Sequence, residues 1–153
     1  MADWETRELA MLAADLDDES PQVVADAQAK ALSLGALDCV VVPTHMKKGR
    51  AGLRVEILCE PADAPRFVEF LLTHTATLGV RESRVRRHAL RREERTLPLR
   101  GGEVRVKVAL LDGRPLRAAP EFEDCRALAE RLGVPVREIV EEARAGALRI
   151  ARP

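Results

Sequence analysis

Four carboxylates crowd into five residues, Asp15-Leu16-Asp17-Asp18-Glu19. Asp15 and Asp17 are two apart, so on an extended chain they share one face. Asp18 falls where a strand would give way to a helix. Several hard oxygens at a strand end can hold Mg2+ or Mn2+, with a substrate's phosphates completing the shell. The alternative is that these acids only complement the dipole of the helix they precede. A second cluster, Lys47-Lys48-Gly49-Arg50, puts three cations in four residues. Gly49 and Gly52 allow close backbone approach, which suits a polyphosphate. The GxxxxGK[ST] spacing is absent, so this is not a Walker loop. Equally, it could be a solvated hairpin tip whose lysines guard a sheet edge. The third cluster is Arg81, Arg84, Arg86, Arg87, Arg91, Arg92 and Arg95, diluted by Glu82, Glu93 and Glu94. Arginine forks match phosphate oxygens, although charge runs usually face water.

The charge map links these clusters. The formal net charge is zero, with twenty-five bases against twenty-five acids. Residues 1–26 nevertheless hold eight acids and one base, and residues 44–107 hold fifteen bases and eight acids. A metal bound to a polyphosphate needs both signs in one site. A neutral chain is not the footprint of a nucleic-acid-binding protein. Aromatics are 3% of residues, one Trp and three Phe with no Tyr, too few for a base-stacking OB or RRM surface. No apolar run approaches the ~18 residues of a membrane span. Met1-Ala2-Asp3-Trp4-Glu5 lacks the basic and apolar regions of a signal peptide. Cys39, Cys59 and Cys125 are odd in number and form no CxxC pair, which argues against a structural zinc site, and Cys39 and Cys59, in apolar stretches, read as reduced core thiols of a cytoplasmic protein. His45, His74 and His88 have no metal-ligand spacing. Residues 129–139 look like a helix-turn-helix, but Glu138, Glu141 and Glu142 would face phosphates and repel them.

Elements must position these clusters. Residues 10–16 are apolar and short, a strand. Ser20-Pro21 reads as an N-cap followed by Pro at the first helical position. The helix continues through Val23, Val24, Ala27, Ala31 and Leu34, and Gly35 ends it. Leu37 to Val42 is a buried strand. Leu53, Val55, Ile57 and Cys59 alternate with polar neighbours in a half-buried strand. A second helix opens near Asp63 to Pro65, carries Phe67, Phe70, Leu71 and Leu72, and stops at Gly79. Val80 to Leu90 is a strand, residues 97–102 a turn, and residues 103–111 another strand. Asp112-Gly113 is a turn. Helices follow at about 121–132, ended by Gly133, and about 135–145, closed by Gly146. This predicts class α+β: a ferredoxin-like β-α-β-β-α-β core, an added strand and two C-terminal helices. The domain reading is 1–119 as a nucleotide-binding core and 120–153 as a helical pair packed on it, since thirty residues are too few for a separate core.

Several words in order carry a resemblance: Asp15-Leu16-Asp17-Asp18 with Pro21, Gly35-Ala36-Leu37-Asp38, Pro43-Thr44-His45-Met46-Lys47-Lys48-Gly49-Arg50-Ala51-Gly52, Thr75-Ala76-Thr77-Leu78-Gly79-Val80-Arg81, Arg87 with Leu90 and Arg92, Val104-Arg105-Val106-Lys107, and Pro120-Glu121-Phe122-Glu123-Asp124-Cys125. Over residues 13–140 the chain resembles the C-terminal domain of the pyridinium-3,5-bisthiocarboxylic acid mononucleotide nickel insertion proteins. These complete the nickel-pincer nucleotide cofactor of lactate racemase. The family's opening usually reads Glu-Thr-Asn-Ile-Asp-Asp-Met. Here Ala13, Ala14, Asp15 and Glu19 replace its Glu, Thr, Asn and Met, and Phe122 stands where Tyr is usual. The resemblance implies part of a CTP-dependent cyclometallase, a lyase of the nickel chelatase class. CTP would bind with Mn2+ or Mg2+ and be cleaved to CMP and pyrophosphate, and Ni2+ would be the substrate metal inserted into the pyridinium mononucleotide precursor. It implies Asp17 and Asp18 as metal ligands, and Lys47, Lys48, Arg50, Arg81 and Arg87 on phosphates. Thr77 and Glu121 would meet ribose or base. Partners implied are a separate N-terminal domain or subunit and further copies of the chain in a trimer-based homo-oligomer. A nucleotide-sensing regulatory module and a helix-turn-helix DNA-binding regulator are the competing classes.

Overall fold

The computed structural model describes residues 3–151, so Met1 and Ala2 at the expected leaderless start lie outside it, as do Arg152 and Pro153. Helices and an antiparallel sheet make a mixed α+β protein with six strands and four α-helices among the described residues. Compactness divides the described residues into 6–87 and 3–5 with 88–151. That division falls at Arg87/His88, whereas the sequence reading draws its step at 119/120.

The unit of residues 6–87 contains most of β1 (Trp4–Leu16), α1 (Pro21–Ser33), β2 (Asp38–Met46), β3 (Arg50–Cys59), α2 (Ala64–His74) and the start of β4 (Arg81–Leu99). Its strands lie in the order β2-β3-β1-β4. β3 is antiparallel to both neighbours, with Asp15 opposite Arg54 and Met46 opposite Arg50. Alternation decides the faces. Ala10, Leu12, Ala14 and Leu16 of β1 join Val55, Ile57 and Cys59 of β3 in one core with Val24, Ala27 and Ala31 of α1 and Phe67, Phe70 and Leu71 of α2. The intervening residues Met11, Ala13 and Asp15 stay half-buried. The expected cap of α1 is present: Ser20 Oγ accepts from Gln22 N at 3.3 Å, Pro21 starts the helix, and Gly35 takes φ 96°. α2 ends at His74, five residues before the stop expected at Gly79. The Thr73 and Thr75 hydroxyls donate to carbonyls of the last turn, Glu69 O and Leu71 O, offering the chain an exit without a left-handed glycine.

The other unit contains the remainder of β4, β5 (Gly102–Leu111), β6 (Arg114–Pro120), α3 (Phe122–Leu132) and α4 (Val136–Ala151), with strands in the order β4-β5-β6. Leu97, Val104, Val106 and Val108 pack with Cys125, Leu128, Ile139, Ala143 and Ala147. Three features differ from the sequence reading. β4 runs through Leu99, because Leu97 continues the buried alternation where a turn was expected. β6 was not anticipated at all. Its Pro115 lies beside a register shift at Ala109/Leu110 and its Pro120 at the strand end, the positions where an edge strand tolerates proline. Gly146 does not close α4, which continues to Ala151. A Cβ there would stand 2.6 Å from Leu97 Cδ2, so this glycine serves close packing of helix on strand. Gly133, in contrast, ends α3 in the left-handed conformation as expected. No described helix is long and apolar enough to cross a membrane.

Candidate functional site

The last acidic residue of β1 decides the local geometry. Asp15 faces Arg54 across the β1–β3 pair, and the guanidinium grips it with Nε to Oδ1 at 2.6 Å and Nη2 to Oδ2 at 3.2 Å. Arg81, at the start of β4, donates to the same Oδ2. These hydrogen bonds, Arg54's first and Arg81's second, hold the Asp15 carboxyl down to about 2 against a smaller opposing effect of burial. Asp15 in turn raises the pKa of Arg54. One carboxylate thus fixes two arginines.

Asp17, two residues on, accepts a single hydrogen bond from Arg50 Nη1 at 2.9 Å. Its side chain is 28% exposed and that of Arg50 is 59% exposed. Asp18 is exposed and has no hydrogen bond or ion pair among the described residues. Glu19 reaches the loop between α2 and β4: its Oε2 accepts from Ala76 N at 2.7 Å. Thr77 is buried in that loop, and its hydroxyl donates to Gly79 O at 3.0 Å and to Asp15 O at 3.4 Å. The result is a cleft of about 500 Å³ lined by Asp15, Asp17, Asp18, Met46, Lys47, the loop residues 76–80 and Arg81.

Of the residues named from the sequence, Asp17, Asp18, Lys47, Thr77 and Arg81 meet in this cleft, and Arg50 reaches it through Asp17. Lys48 sits on the turn at φ 64° and does not line it. Arg87 lines a different cavity of about 250 Å³ with Arg7, Leu37, Asp38 and Leu58. Glu121 belongs to the other unit, where Lys107 Nζ donates to it at 2.5 Å. Sequence reasoning missed Arg54 and Glu19 as organising groups. It also missed Thr44, whose Oγ1 is buried without a hydrogen-bond partner, opposite Gly52 at the cleft end of β2.

Among the described residues no group of three or more His, Cys, Asp or Glu side chains gathers as a metal cage. Asp15 is spent on two arginines, which leaves Asp17 and Asp18 as hard-oxygen donors. One or two carboxylates with phosphates completing the shell is how Mg2+ is ordinarily held, so the donor set fits a metal that arrives with a phosphate ligand. Cys39, Cys59 and Cys125 are free and buried, and burial pushes the Cys39 thiol up to about 11, so they present no thiolate to the cleft.

Helices on an antiparallel sheet make this an α+β protein, and carboxylates and cations converge at one strand end of the unit of residues 6–87 to line a charged cleft. The chain belongs to the nickel insertion protein family, whose model matches residues 1–140. It is 42% identical over 135 residues to a putative nickel insertion protein of Myxococcus xanthus, covering 88% of this chain and 35% of that protein. It is 40% identical over 128 residues to the pyridinium-3,5-bisthiocarboxylic acid mononucleotide nickel insertion protein of Akkermansia muciniphila, covering 84% and 32%. The chain spans about a third of the length of these curated relatives. Its fold matches a solved structure of the C-terminal domain of a cyclometallase involved in the synthesis of the NPN cofactor of lactate racemase, in its apo form. The TM-score is 0.84 at 28% identity, with 96% of this chain and 98% of that one covered.

Proposed function

We propose that this chain is the CTP- and divalent-metal-binding domain of a cytoplasmic nickel insertion protein that works with a separate N-terminal domain or subunit. The observation that carries the reading is the cleft in which Asp17, Asp18 and Lys47 meet, with Arg50 on Asp17 and Arg81 on its wall. Asp17 and Asp18 would hold Mn2+ or Mg2+, and Lys47, Arg50 and Arg81 would neutralise the triphosphate. The metal supplies charge neutralisation and polarisation of the phosphoryl bond that releases CMP and pyrophosphate. The chain's own contribution is positional. Arg54 and Asp15 fix Arg81, Glu19 fixes the loop, and the β2–β3 turn presents Lys47. Ni2+ and the pyridinium mononucleotide are substrates of the whole assembly. Titration calorimetry with CTP, with and without Mn2+, tests the binding step. CMP release in the presence of Ni2+, the precursor and the N-terminal partner tests the reaction. Binding of CTP without CMP release in that complete mixture would favour a nucleotide sensor instead.

The turn makes a sharper expectation. Lys47 lines the cleft and Lys48 does not. A charge-assisted hydrogen bond contributes about 1.5–3 kcal/mol, so Lys47→Ala is expected to weaken CTP binding roughly ten- to a hundredfold. Lys48→Ala should stay within a few-fold of the parent. Equal losses would mean that the turn recoils around the phosphates; no loss in either would leave it a hairpin tip.

The trimer-based homo-oligomer is likewise proposed. β2 is the edge of its four-strand order, and its Val40 and Val42 are each 39% exposed on the face opposite the buried Cys39. Branched apolar side chains on an edge strand favour pairing with another chain. Light scattering should give a mass above that of one chain. A monomer that still binds CTP refutes this assembly.

A further inference from the structure

The two carboxylate–arginine contacts at the cleft differ in kind. Asp15 is held by both arms of Arg54 and by Arg81, and its side chain is only 20% exposed. Asp17 has a single contact with Arg50, whose side chain stands mostly in water. An exposed pair of that sort contributes little and opens readily. Both of its members are also the groups that ligands would claim, since Asp17 lines the cleft beside Asp18 and Arg50 follows the turn that presents Lys47.

We propose that the Asp17–Arg50 pair is an exchange latch that couples metal binding to polyphosphate binding; this rests on the metal–triphosphate reading of the site. A metal ion arriving alone must take Asp17 from Arg50 and strand the guanidinium. A polyphosphate arriving alone must take Arg50 and strand the carboxylate. When both arrive, the pair opens once: Asp17 passes to the metal and the Arg50 fork passes to phosphate oxygens, so each charge exchanges one partner for another. The protein thereby disfavours the half-loaded states, a metal without phosphate or a phosphate without metal. Asp15 and Arg54 do not take part. Their bidentate contact stays closed and gives Arg81 a fixed seat.

The latch makes predictions of opposite sign to those of a lost ligand contact. The probes are Mn2+ alone, followed by electron paramagnetic resonance of the free ion, and inorganic tripolyphosphate alone in excess chelator, followed by calorimetry. Asp17→Asn removes the partner that restrains Arg50 and is expected to bind metal-free tripolyphosphate about two- to fivefold tighter than the parent. Arg50→Ala is expected to bind Mn2+ alone tighter by a similar factor. A general field effect is separated by two controls. Asp18→Asn removes the same charge from a neighbouring unpaired residue and should give a smaller gain for tripolyphosphate. In the Arg50→Ala background, Asp17→Asn should give no more than that field gain, because there is no longer a guanidinium to release. Thermal melts confirm that each variant is folded. The latch is overturned if Asp17→Asn or Arg50→Ala binds its probe no tighter than the parent, if Asp18→Asn matches Asp17→Asn, or if the gain survives undiminished in the double variant. A parent protein that binds CTP with Mn2+ while failing these comparisons keeps the site reading and loses only the latch. A parent that binds neither CTP with Mn2+ nor tripolyphosphate loses both.

Discussion

Replacing Asp17 and Asp18 together with alanine is expected to weaken CTP binding in the presence of Mn2+ by at least about a hundredfold and to remove the dependence on metal. Each carboxylate on a cation contributes about as much as a hydrogen bond to a charged group, roughly 1.5–3 kcal/mol, and two such losses pass the hundredfold mark. Unfolding should move little. Asp17 has one exposed ion pair and Asp18 has no partner among the described residues, and such groups contribute at most about 1 kcal/mol each. The dipole alternative predicts the reverse. Both acids precede α1, whose first turn contains no acid of its own. If their role were to complement that helix end, the double variant would lose about 0.3–1 kcal/mol per charge and bind CTP as before. Calorimetry with and without chelator, beside a urea titration of the same protein, separates the two. Retained metal-dependent affinity would remove both aspartates from the site.

What the sequence showed and what it hid follow from the range of the interactions. Ser20, Pro21 and Gly35 bound α1 through contacts within a few residues, and such local chemistry is readable from a short window. The alternation that puts Val55, Ile57 and Cys59 in the core is equally local. Asp17, Asp18 and Lys47 were legible as opposite charges that one site would need, but the backbone pairing that brings them together was not. The strand register that brings the end of β1 beside the start of β3 is set by the whole hydrophobic pattern. Asp15 was the deeper loss. As one acid among four it looked like a ligand, but its partners lie 39 and 66 residues away, and only the folded sheet shows that it is already spent on arginines. Glycines were ambiguous for another reason. Gly133 and Gly146 both follow a helical run, yet one supplies a left-handed turn and the other makes room for Leu97. The residue type is the same, and the deciding atom belongs to a distant strand. β6 was hidden by its prolines, which argue against a strand unless its place at the sheet edge is already known.

Asp15→Asn is expected to be the most destabilising polar substitution in the site. The amide keeps the shape and one acceptor but loses the charge that Arg54 and Arg81 share. In the folded protein the Asp15 carboxyl lies at about 2, from an ordinary value of 3.8. At about 1.36 kcal/mol per pKa unit, that difference corresponds to roughly 2 kcal/mol of stability. The sign is fixed by the direction of the shift. Folding favours the ionised form, so the contribution is fully present above pH ~4 and is lost as pH falls through about 2. Parent and variant should therefore differ by about 2 kcal/mol in urea titrations at pH 7 and converge as pH approaches 2. The acid dependence will not vanish in the variant. Asp124, in the other unit, is held at about 2 by Arg105 and contributes a slope of the same sign. A gap between parent and variant that stays constant from pH 7 to pH 2 would mean that the Asp15 charge is not what stabilises the strand end. Binding reports a second consequence. Arg81 loses its seat while keeping its charge, so CTP affinity should fall several-fold in Asp15→Asn, and Arg81→Ala added to it should cost less than it does in the parent. That non-additivity distinguishes an aspartate that orients an arginine from one that only holds two strands together.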